Sequence, residues 1–281
     1  DTSGTPEWDL DSQDIVGMSG GVGKLIFYAA NSLTNSALTA AFNKVVSDNQ
    51  AQVINVSLGE CETSAYQDGS RAADDQIFAL GVAQGQTFSI STGDSGSPGD
   101  YQAYSPNIVA VGGTSLYLNS SGNYSSESGW SGSGGGISKY ESKPSYQSSV
   151  TQSSLRRTTP DVSAVADPNT GVAVLDSSAG GIGSSNGWLQ VGGTSLSSPL
   201  WAGLMAIADQ GHVLLGLSTL NGASQTLPDL YTLNASDFHD ITSGSNDGYS
   251  AVAGYDLVTG RGTPVASQLV PDLAGGATIA G

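Results

Sequence analysis

Residues 38–111 alternate between two kinds of hydrophobic pattern, and this alternation decides the fold. The stretch LTAAFNKVVSD (38–48) and residues 71–83 space their apolar side chains three to four positions apart, as amphipathic helices do. Between and after them come short apolar runs rich in β-branched residues: VINVSL (53–58), TFSIS (87–91) and IVAV (108–111). Strands that alternate with helices predict an α/β fold with a mostly parallel central sheet flanked by helices.

The same patterns extend the prediction in both directions. Upstream, Thr5-Pro6-Glu7 is typical of a helix start with Thr5 as the cap, and KLIFYAA (24–30) predicts a buried strand. Downstream, residues 172–175 and 188–191 predict strands, and SLSSPLWAGLMAIAD (195–209) predicts a buried helix of small and apolar residues. We therefore expect residues 1–281 to form a single domain.

Charge and composition exclude several classes of protein. The chain has 8 Lys and Arg against 25 Asp and Glu, a net charge of −17, which is the wrong sign for binding nucleic acid or an anionic membrane. Cys61 stands alone, so an intramolecular disulfide is ruled out, and two histidines make a histidine-built metal site improbable. No apolar run approaches the ~20 residues of a membrane span. We expect a secreted, monomeric protein that works at low pH, where its carboxylates repel one another less.

The strongest local motif is GTSLSSP (193–199), which lies between a predicted strand and a predicted helix. It places the Ser195 hydroxyl at a helix N-terminus, where free backbone N–H groups and the helix dipole favour a developing oxyanion. Ser195 could instead serve only as the helix cap. The proline four residues later and the Trp-Ala-Gly that follows favour a nucleophile.

A serine nucleophile needs a base, and carboxylates are better candidates here than histidines. His212 and His239 both follow Ser195 and lie outside any motif typical of catalysis. Glu7 and Asp11 are spaced i, i+4, so they share one helix face, and their repulsion should make one of them hold a proton to higher pH. An acidic first turn that only complements the helix dipole is the alternative.

Asp94 is a third candidate, in the segment STGDSG (91–96) directly after a predicted strand. Strand ends of parallel sheets are where active sites gather, and a protonated carboxyl there could donate a hydrogen bond to an oxyanion. A turn aspartate with no catalytic role is the alternative.

Taken together, the motifs resemble the sedolisins, the serine-carboxyl peptidases of subtilisin-like fold. They follow one another in the family's order from Glu7 to about Pro264, so the resemblance covers nearly the whole chain. The motifs are Glu7-Trp8 with Leu10-Asp11-Ser12-Gln13, VINVSLG (53–59), STGDSG (91–96), GGGIS (134–138), PDVS (160–163), GGTS (192–195) and His239-Asp240-Ile241.

The resemblance implies an acid-active endopeptidase with a Ser–Glu–Asp triad. Ser195 would be the nucleophile, Glu7 its general base, and Asp11 the partner that orients Glu7 and shares its proton. Asp94 would donate from the oxyanion hole together with the Ser195 backbone N–H, and it must be protonated to do so. A peptide or protein would be the substrate.

The resemblance also implies substrate-binding and metal-binding segments. Two segments should flank an extended peptide and pair with its backbone: Ser57, Leu58 and Gly59, and Gly134, Gly135 and Gly136. A calcium-binding loop near the C-terminus should hold one Ca²⁺ through oxygen atoms, of the carboxylates of Asp240 and Asp256 and the carbonyls of Ile241, Val252 and Gly254. An ordinary Asp-rich loop is the alternative for these five residues.

Two departures from the family pattern, and two rival interpretations, complete the sequence analysis. Only six residues precede Glu7, where the family carries a sizeable segment, so we expect an N-terminal pro-segment or light chain as a partner. Glu60 follows Gly59 where the family favours tryptophan. Asp1-Thr2-Ser3-Gly4 and Asp94-Ser95-Gly96 faintly resemble the paired loops of pepsin-like proteases, although the β/α alternation opposes that all-β architecture. A calcium-stabilised secreted binding module that has lost activity is the non-enzymatic alternative.

Overall fold

The computed structural model describes residues 4–177 and 187–276, which form helices on both faces of a mostly parallel sheet. The helices are α1 (Thr5–Ser19), α2 (Asn35–Asp48), α3 (Glu62–Asp68), α4 (Ser70–Ala83), α5 (Thr194–Leu214), α6 (Leu227–Thr232) and α7 (Ala266–Leu273). The strands are β1 (Val53–Val56), β2 (Thr87–Ser91), β3 (Val109–Leu118), β4 (Tyr124–Gly129), β5 (Gly136–Ser142), β6 (Arg156–Thr159), β7 (Val162–Val165), β8 (Val172–Leu175), β9 (Trp188–Val191), β10 (Phe238–His239) and β11 (Thr263–Pro264).

The central sheet has the predicted α/β architecture. β1, β2 and β3 pair in parallel in that order, β7 joins β3 in parallel, and β4 adds an antiparallel partner to the far end of β3. Shorter antiparallel pairs, β5–β6, β8–β9 and β10–β11, lie outside it. The predicted strands 87–91, 172–175 and 188–191 form as expected, and the subtilisin-like fold class is confirmed.

Alternation along the strands divides the core into two layers. On one face Ile54 and Phe88 pack against α2 and α4 through Phe42 and Phe78. On the other face β3 and β7 pack against α5, where Trp201 and Met205 are fully buried. Full burial of such a side chain stabilises the fold by ~1.5–3 kcal/mol before entropy is counted. Residues that alternate with the first set, such as Asn55, therefore face α5.

α5 is the element on which the site depends. It extends the predicted helix by one residue at its start and by five at its end, and it packs against β1, β2, β3 and β7 as well as α1. Gly203 lets α1 approach closely, since a Cβ there would meet the Met18 side chain at 2.8 Å. α1 and α5 thus come together with their functional residues on adjoining surfaces.

A fully buried ion pair anchors the strands beside this core. The Arg157 guanidinium donates to both carboxylate oxygens of Asp161, at 2.7 and 2.6 Å, and the Tyr231 hydroxyl donates to the same carboxylate at 2.7 Å. Arg157 and Asp161 are both 0 % exposed. Asp161, which the sequence motif PDVS contains, thus has a structural contact in this fold.

Two expectations from the sequence are corrected. Residues 24–30 form no strand: Leu25 and Phe27 are 37 % and 51 % exposed, and no described strand pairs with this segment. Side-chain hydrogen bonds hold this segment instead: Lys24 donates to Gln50, and Tyr28 donates to Asp48. An apolar run becomes a strand only where a neighbour supplies backbone partners, and here none does. α1 is also capped differently, because Gly4 rather than Thr5 lies at its N-cap.

Across the described ranges, no helix is both long enough and apolar enough to cross a membrane.

Candidate active site

Ser195 lies half-buried in the first turn of α5. The helix begins at Thr194 with Gly193 at the N-cap, and no side chain makes a capping hydrogen bond there. Ser195 is therefore not the cap, and its hydroxyl remains available for another partner. Its backbone N–H belongs to the first turn, where a helix supplies no acceptor.

Gly193 is required at this position by its conformation and by its neighbour. Its φ of +105° lies in the region that side chains avoid, and a Cβ would stand 2.7 Å from Asp94 Oδ2. The chain can therefore turn into α5 with Asp94 close beside it.

Glu7 and Asp11 lie on α1. Burial raises the pKa of Glu7, repulsion from Asp94 adds to the rise, and the nearby Ser195 hydroxyl opposes it. The Glu7 side chain is exposed in part, so its carboxyl is only partly withdrawn from water.

Asp11 is the more deeply placed member of the pair. Burial raises its pKa to about 7, with repulsion from Glu7 and Asp14 adding to the rise and a hydrogen bond from Ser57 opposing it. Asp11 therefore holds its proton at a pH where an ordinary carboxyl is ionised. The repulsion between Glu7 and Asp11 confirms that the two carboxyls lie close together on one helix face.

Asp94 is bonded to Thr194, the residue that precedes Ser195. Its Oδ1 accepts hydrogen bonds from the Thr194 backbone N–H at 2.6 Å and from the Thr194 hydroxyl at 2.9 Å. The Gly93 N–H in turn donates to the Thr194 hydroxyl at 3.0 Å. With Oδ1 engaged as an acceptor, Oδ2 is the oxygen free to carry a proton and donate it.

The two histidines lie elsewhere and have other partners. Both ring nitrogens of His212 are 3.0 Å from backbone carbonyls, of Ser218 and Leu273. His239 stacks on the Tyr124 ring with centroids 3.9 Å apart. Among the contacts of the described residues, neither histidine is joined to Ser195.

The predicted substrate-binding residues fall into two different settings. Ser57 turns its hydroxyl to Asp11 Oδ1, at 2.7 Å, while Leu58 and Gly59 continue past the end of β1. Gly134 and Gly135 are buried, and the Gly134 N–H and the Gly135 carbonyl already bond to Gly93 and Gly99. A substrate-pairing role for these segments stays a prediction. The strand expected at 134–136 begins only at Gly136.

The proposed calcium ligands lie along one loop. Both oxygens of Asp240 accept the Gly254 N–H, at 3.1 and 3.0 Å, and Asp256 accepts the Val252 N–H at 3.1 Å. Asp256 also accepts the N–H groups of Val258 and Thr259. Among the described residues no group of three or more His, Cys, Asp or Glu side chains is arranged to hold a metal. A site here would need two carboxylates and backbone carbonyls, which is a hard-oxygen donor set.

Sequence reasoning missed several residues that contact the site. Thr194 lay inside a quoted motif, but nothing in the pattern showed that it bonds to Asp94. Asp14 acts on Asp11, three positions further along α1, and burial raises its own pKa to about 7. Asp100 lies beneath the turn after β2, where burial and repulsion from Asp94 and Glu60 raise its pKa to about 6. The i, i+3 spacing on α1 could have revealed Asp14. Asp100 carries no such signal.

Comparisons with known proteins agree with this geometry. Residues 12–230 match the model of the subtilase family. The chain is 43 % identical to sedolisin from Pseudomonas sp. (strain 101) and 38 % identical to xanthomonalisin from Xanthomonas sp. (strain T-22), each over 94 % of this chain. It spans 48 % and 37 % of the lengths of those two relatives, so about half or less.

Solved structures give the same picture. A complex of Pseudomonas sedolisin, described as a serine-carboxyl proteinase with two molecules of pseudo-iodotyrostatin, superposes with a TM-score of 0.87 and 40 % identity. That match covers 98 % of this chain and 80 % of the other. A lanthipeptide protease, at 15 % identity and a TM-score of 0.64 over 96 % of this chain and 76 % of its own, shares the fold alone.

Proposed function

Because this chain belongs to the subtilase family, and within it to the serine-carboxyl peptidases related to sedolisin, we propose that it is an acid-active endopeptidase in which Ser195 is the nucleophile. The observation that supports the proposal is the grouping of three carboxyls around the residue Ser195. The Ser195 hydroxyl and Asp94 both act on the Glu7 carboxyl, Asp11 lies close enough to Glu7 to be repelled by it, and Asp94 is held by Thr194, the residue before Ser195.

Acylation follows from these positions. The Ser195 oxygen attacks the carbonyl carbon of the scissile peptide while its proton passes to Glu7, whose carboxylate shares the Asp11 proton. The carbonyl oxygen becomes an oxyanion that accepts hydrogen bonds from protonated Asp94 Oδ2 and from the Ser195 N–H. Glu7 then returns the proton to the leaving amine, and water repeats the sequence on the acyl-enzyme.

An acid pH range follows from the same groups. Below the raised pKa of Glu7 the pair holds two protons and cannot accept another. Above the pKa of Asp11, about 7, the pair holds none, and an ionised Asp94 would place negative charge where the oxyanion must form. Activity should therefore be confined to acid, between these two limits.

Hydrolysis of a denatured protein from pH 3 to 8 tests this function. We compare the wild-type chain with Ser195→Ala and Glu7→Gln, use Ser163→Ala as a matched buried serine outside the site, and run pepstatin in parallel. Acid-only, pepstatin-resistant cleavage that both site variants lose and Ser163→Ala keeps supports the proposal. Cleavage that survives Ser195→Ala, or an inactive wild-type chain that no peptide aldehyde labels at Ser195, contradicts it.

We also propose one structural Ca²⁺ in the loop of Asp240 and Asp256. The ion would bind to these two carboxylates and to the carbonyls of Ile241, Val252 and Gly254, and it would hold the loop by charge neutralisation. The donor chemistry fits, since both carboxylates already converge on residues 252–254. A secreted location, a peptide or protein substrate and an N-terminal pro-segment complete the proposal, supported by the similarity to sedolisin and by the acidic composition.

A further inference from the structure

We propose that Asn55 and Ser198 are positioning residues for the catalytic pair, acting on Asp11 through the Ser57 hydroxyl; this inference rests on the function proposed above. A continuous line of hydrogen bonds supports it. Ser198 Oγ lies 2.7 Å from Asn55 Oδ1, Asn55 Nδ2 lies 3.0 Å from Ser57 Oγ, and Ser57 Oγ lies 2.7 Å from Asp11 Oδ1. We call these three residues, Ser198, Asn55 and Ser57, the donor chain.

The chemistry of the amide gives the donor chain a direction. An amide nitrogen only donates and an amide oxygen only accepts, so Asn55 must receive a proton from Ser198 and give one to Ser57. Ser57 Oγ then accepts the hydrogen bond from Asn55, and the single proton of the Ser57 hydroxyl is directed to Asp11. Each member polarises the next, so every donor in the line reinforces the bond to Asp11 Oδ1.

Ser89, on β2, contacts Ser198 at the inner end of the donor chain. Ser89 Oγ donates to the Ser198 carbonyl at 2.9 Å and lies 3.2 Å from the Ser198 hydroxyl. Ser89 and Ser198 are both fully buried. The Ser198 hydroxyl has two acceptors within reach, Asn55 Oδ1 at 2.7 Å and Ser89 Oγ at 3.2 Å, and the shorter contact favours donation to Asn55.

A consequence for the shared proton follows. Oδ1 of Asp11 is held as an acceptor, so a proton on this carboxyl is directed to Oδ2. Without the donor chain the proton could occupy either oxygen, and its position relative to Glu7 would no longer be fixed. The charged groups that act on Asp11 are Glu7 and Asp14, both on α1, whereas β1 and α5 contribute only the neutral groups named above.

The donor chain also joins the elements that carry the reacting groups. Asp11 belongs to α1, Asn55 to β1, Ser89 to β2, and Ser198 to α5, one turn after Ser195. Ser57 itself lies 3.5 Å from the Ser195 carbonyl oxygen. Ser57, just after the end of β1, therefore contacts both the helix that carries Ser195 and the helix that carries Glu7 and Asp11.

Steady-state kinetics test the role of the two distant members. Asn55→Leu keeps the approximate volume and adds no charge, Ser198→Ala removes only the hydroxyl, and Ser163→Ala is the control, a buried serine whose hydroxyl donates to the Thr259 carbonyl. The substrate is a quenched fluorescent peptide copied from a site that the wild-type chain cleaves in denatured casein. We expect kcat to fall roughly tenfold for Asn55→Leu and about threefold for Ser198→Ala, with KM changed less than about twofold.

Two further readouts separate positioning from a general loss of structure. Asp11 should hold its proton to higher pH in Asn55→Leu, because it loses a donor that favours its ionised form. Carboxyl ¹³C-NMR in a Ser195→Ala background should show Asp11 titrating at higher pH in Asn55→Leu than in its parent. Thermal unfolding identifies a variant that does not fold, in which case Ser198→Ala alone decides.

The outcomes are distinct for the two proposals. Kinetics and an Asp11 titration that match Ser163→Ala would overturn the positioning role while leaving the peptidase intact. A wild-type chain that cleaves nothing would overturn the proposed function, and the NMR titration would still decide whether the donor chain acts on Asp11.

Discussion

Thr194 holds Asp94 by two hydrogen bonds that end on the same carboxyl oxygen, Oδ1. Since Thr194 directly precedes Ser195, one peptide unit fixes the position of Asp94 relative to Ser195. The second oxygen, Oδ2, lies beside Gly193. A carboxyl held in this way presents one acceptor to the protein and one potential donor to the substrate.

Replacement of Asp94 by Asn should extend activity toward neutral pH. The amide oxygen can accept both Thr194 bonds, and the amide nitrogen takes the place of Oδ2 and donates at every pH. Asp94→Ala, which removes the donor, should lower kcat by about 10²–10³ at the optimum. Measurement of kcat from pH 3 to 8 checks both, and an Asp94→Asn profile that coincides with the wild type at its alkaline limit contradicts the assigned role.

Gly193→Ala should damage both the site and the fold. The added Cβ would meet Asp94 Oδ2 at 2.7 Å in a backbone with φ of +105°, so we expect a loss of ~1–3 kcal/mol in stability and at least a tenfold loss in kcat. Gly17→Ala on α1 is the control: its Cβ would meet nothing within 4 Å, and the helix should gain ~0.5–1 kcal/mol. Urea unfolding and kcat are measured on both variants. Equal behaviour of the two would refute the steric argument.

Arg157→Met should be among the most destabilising single changes in the chain. It leaves the Asp161 carboxylate buried without its ion partner, which typically costs ~3–5 kcal/mol. Lys44→Met, which breaks the exposed i, i+4 pair with Asp48, serves as the control and should scarcely change stability. Urea unfolding at pH 6 separates these cases. A small effect of Arg157→Met would mean that Asp161 is neutral in the folded protein.

The folded protein should be more stable at pH 4 than at pH 7.5. Burial raises the pKa of six carboxyls well above the ordinary value: to about 7 for Asp11, Asp14 and Asp75, and to about 6 for Asp74, Asp100 and Asp209. Because the unfolded chain loses these protons first, near pH 4, the folded state binds more protons between pH 4 and 7, and stability falls as pH rises through that window.

Calorimetry at several pH values measures this trend. Asp75→Asn should flatten it, since one of the raised groups no longer titrates, whereas Asp48→Asn, at an exposed position where the pKa is lowered by Lys44, should not. A Tm that rises from pH 4 to pH 7.5 contradicts the expectation.

Calcium should stabilise the protein if the loop of Asp240 and Asp256 binds it. Free Ca²⁺ at ~100 times its Kd adds about 2.7 kcal/mol to the free energy of unfolding, so a chelator should lower Tm. Asp240→Ala should abolish that response, and Asp247→Asn, in the same loop but outside the donor set, should retain it. Calorimetry with and without EGTA decides, and a Tm that EGTA leaves unchanged in the wild type contradicts the site.

The sequence predicted the architecture because hydrophobic periodicity is a local property. The burial of residues 87–91 can be recognised from a few neighbouring positions, and the order of such elements along the chain was enough to predict the fold class. Likewise, the i, i+4 spacing of Glu7 and Asp11 already places them on one helix face. Residues 24–30 have the same kind of pattern, but a strand depends on a partner that the segment does not contain.

Contacts across long separations could not be predicted from spacing. Asn55 and Ser198 are 143 positions apart, and Thr194 and Asp94 are 100 apart. The pairing depends on how α5 lies against β1 and β2, which no local pattern encodes. The alternation in VINVSL does show that Asn55 and Ser57 share a face, and that signal could have grouped them.

The unequal burial of α1 and α5 has a consequence for inactivation. α5 is enclosed along most of its length, while α1 buries only Leu10 completely and leaves Val16 and Met18 exposed. If α1 detached alone, Glu7 and Asp11 would leave an otherwise folded molecule. Local opening of this helix can therefore end the proposed catalysis well before the sheet unfolds. Engineering for heat tolerance would therefore gain more from the seam between these two helices than from the interior of the sheet.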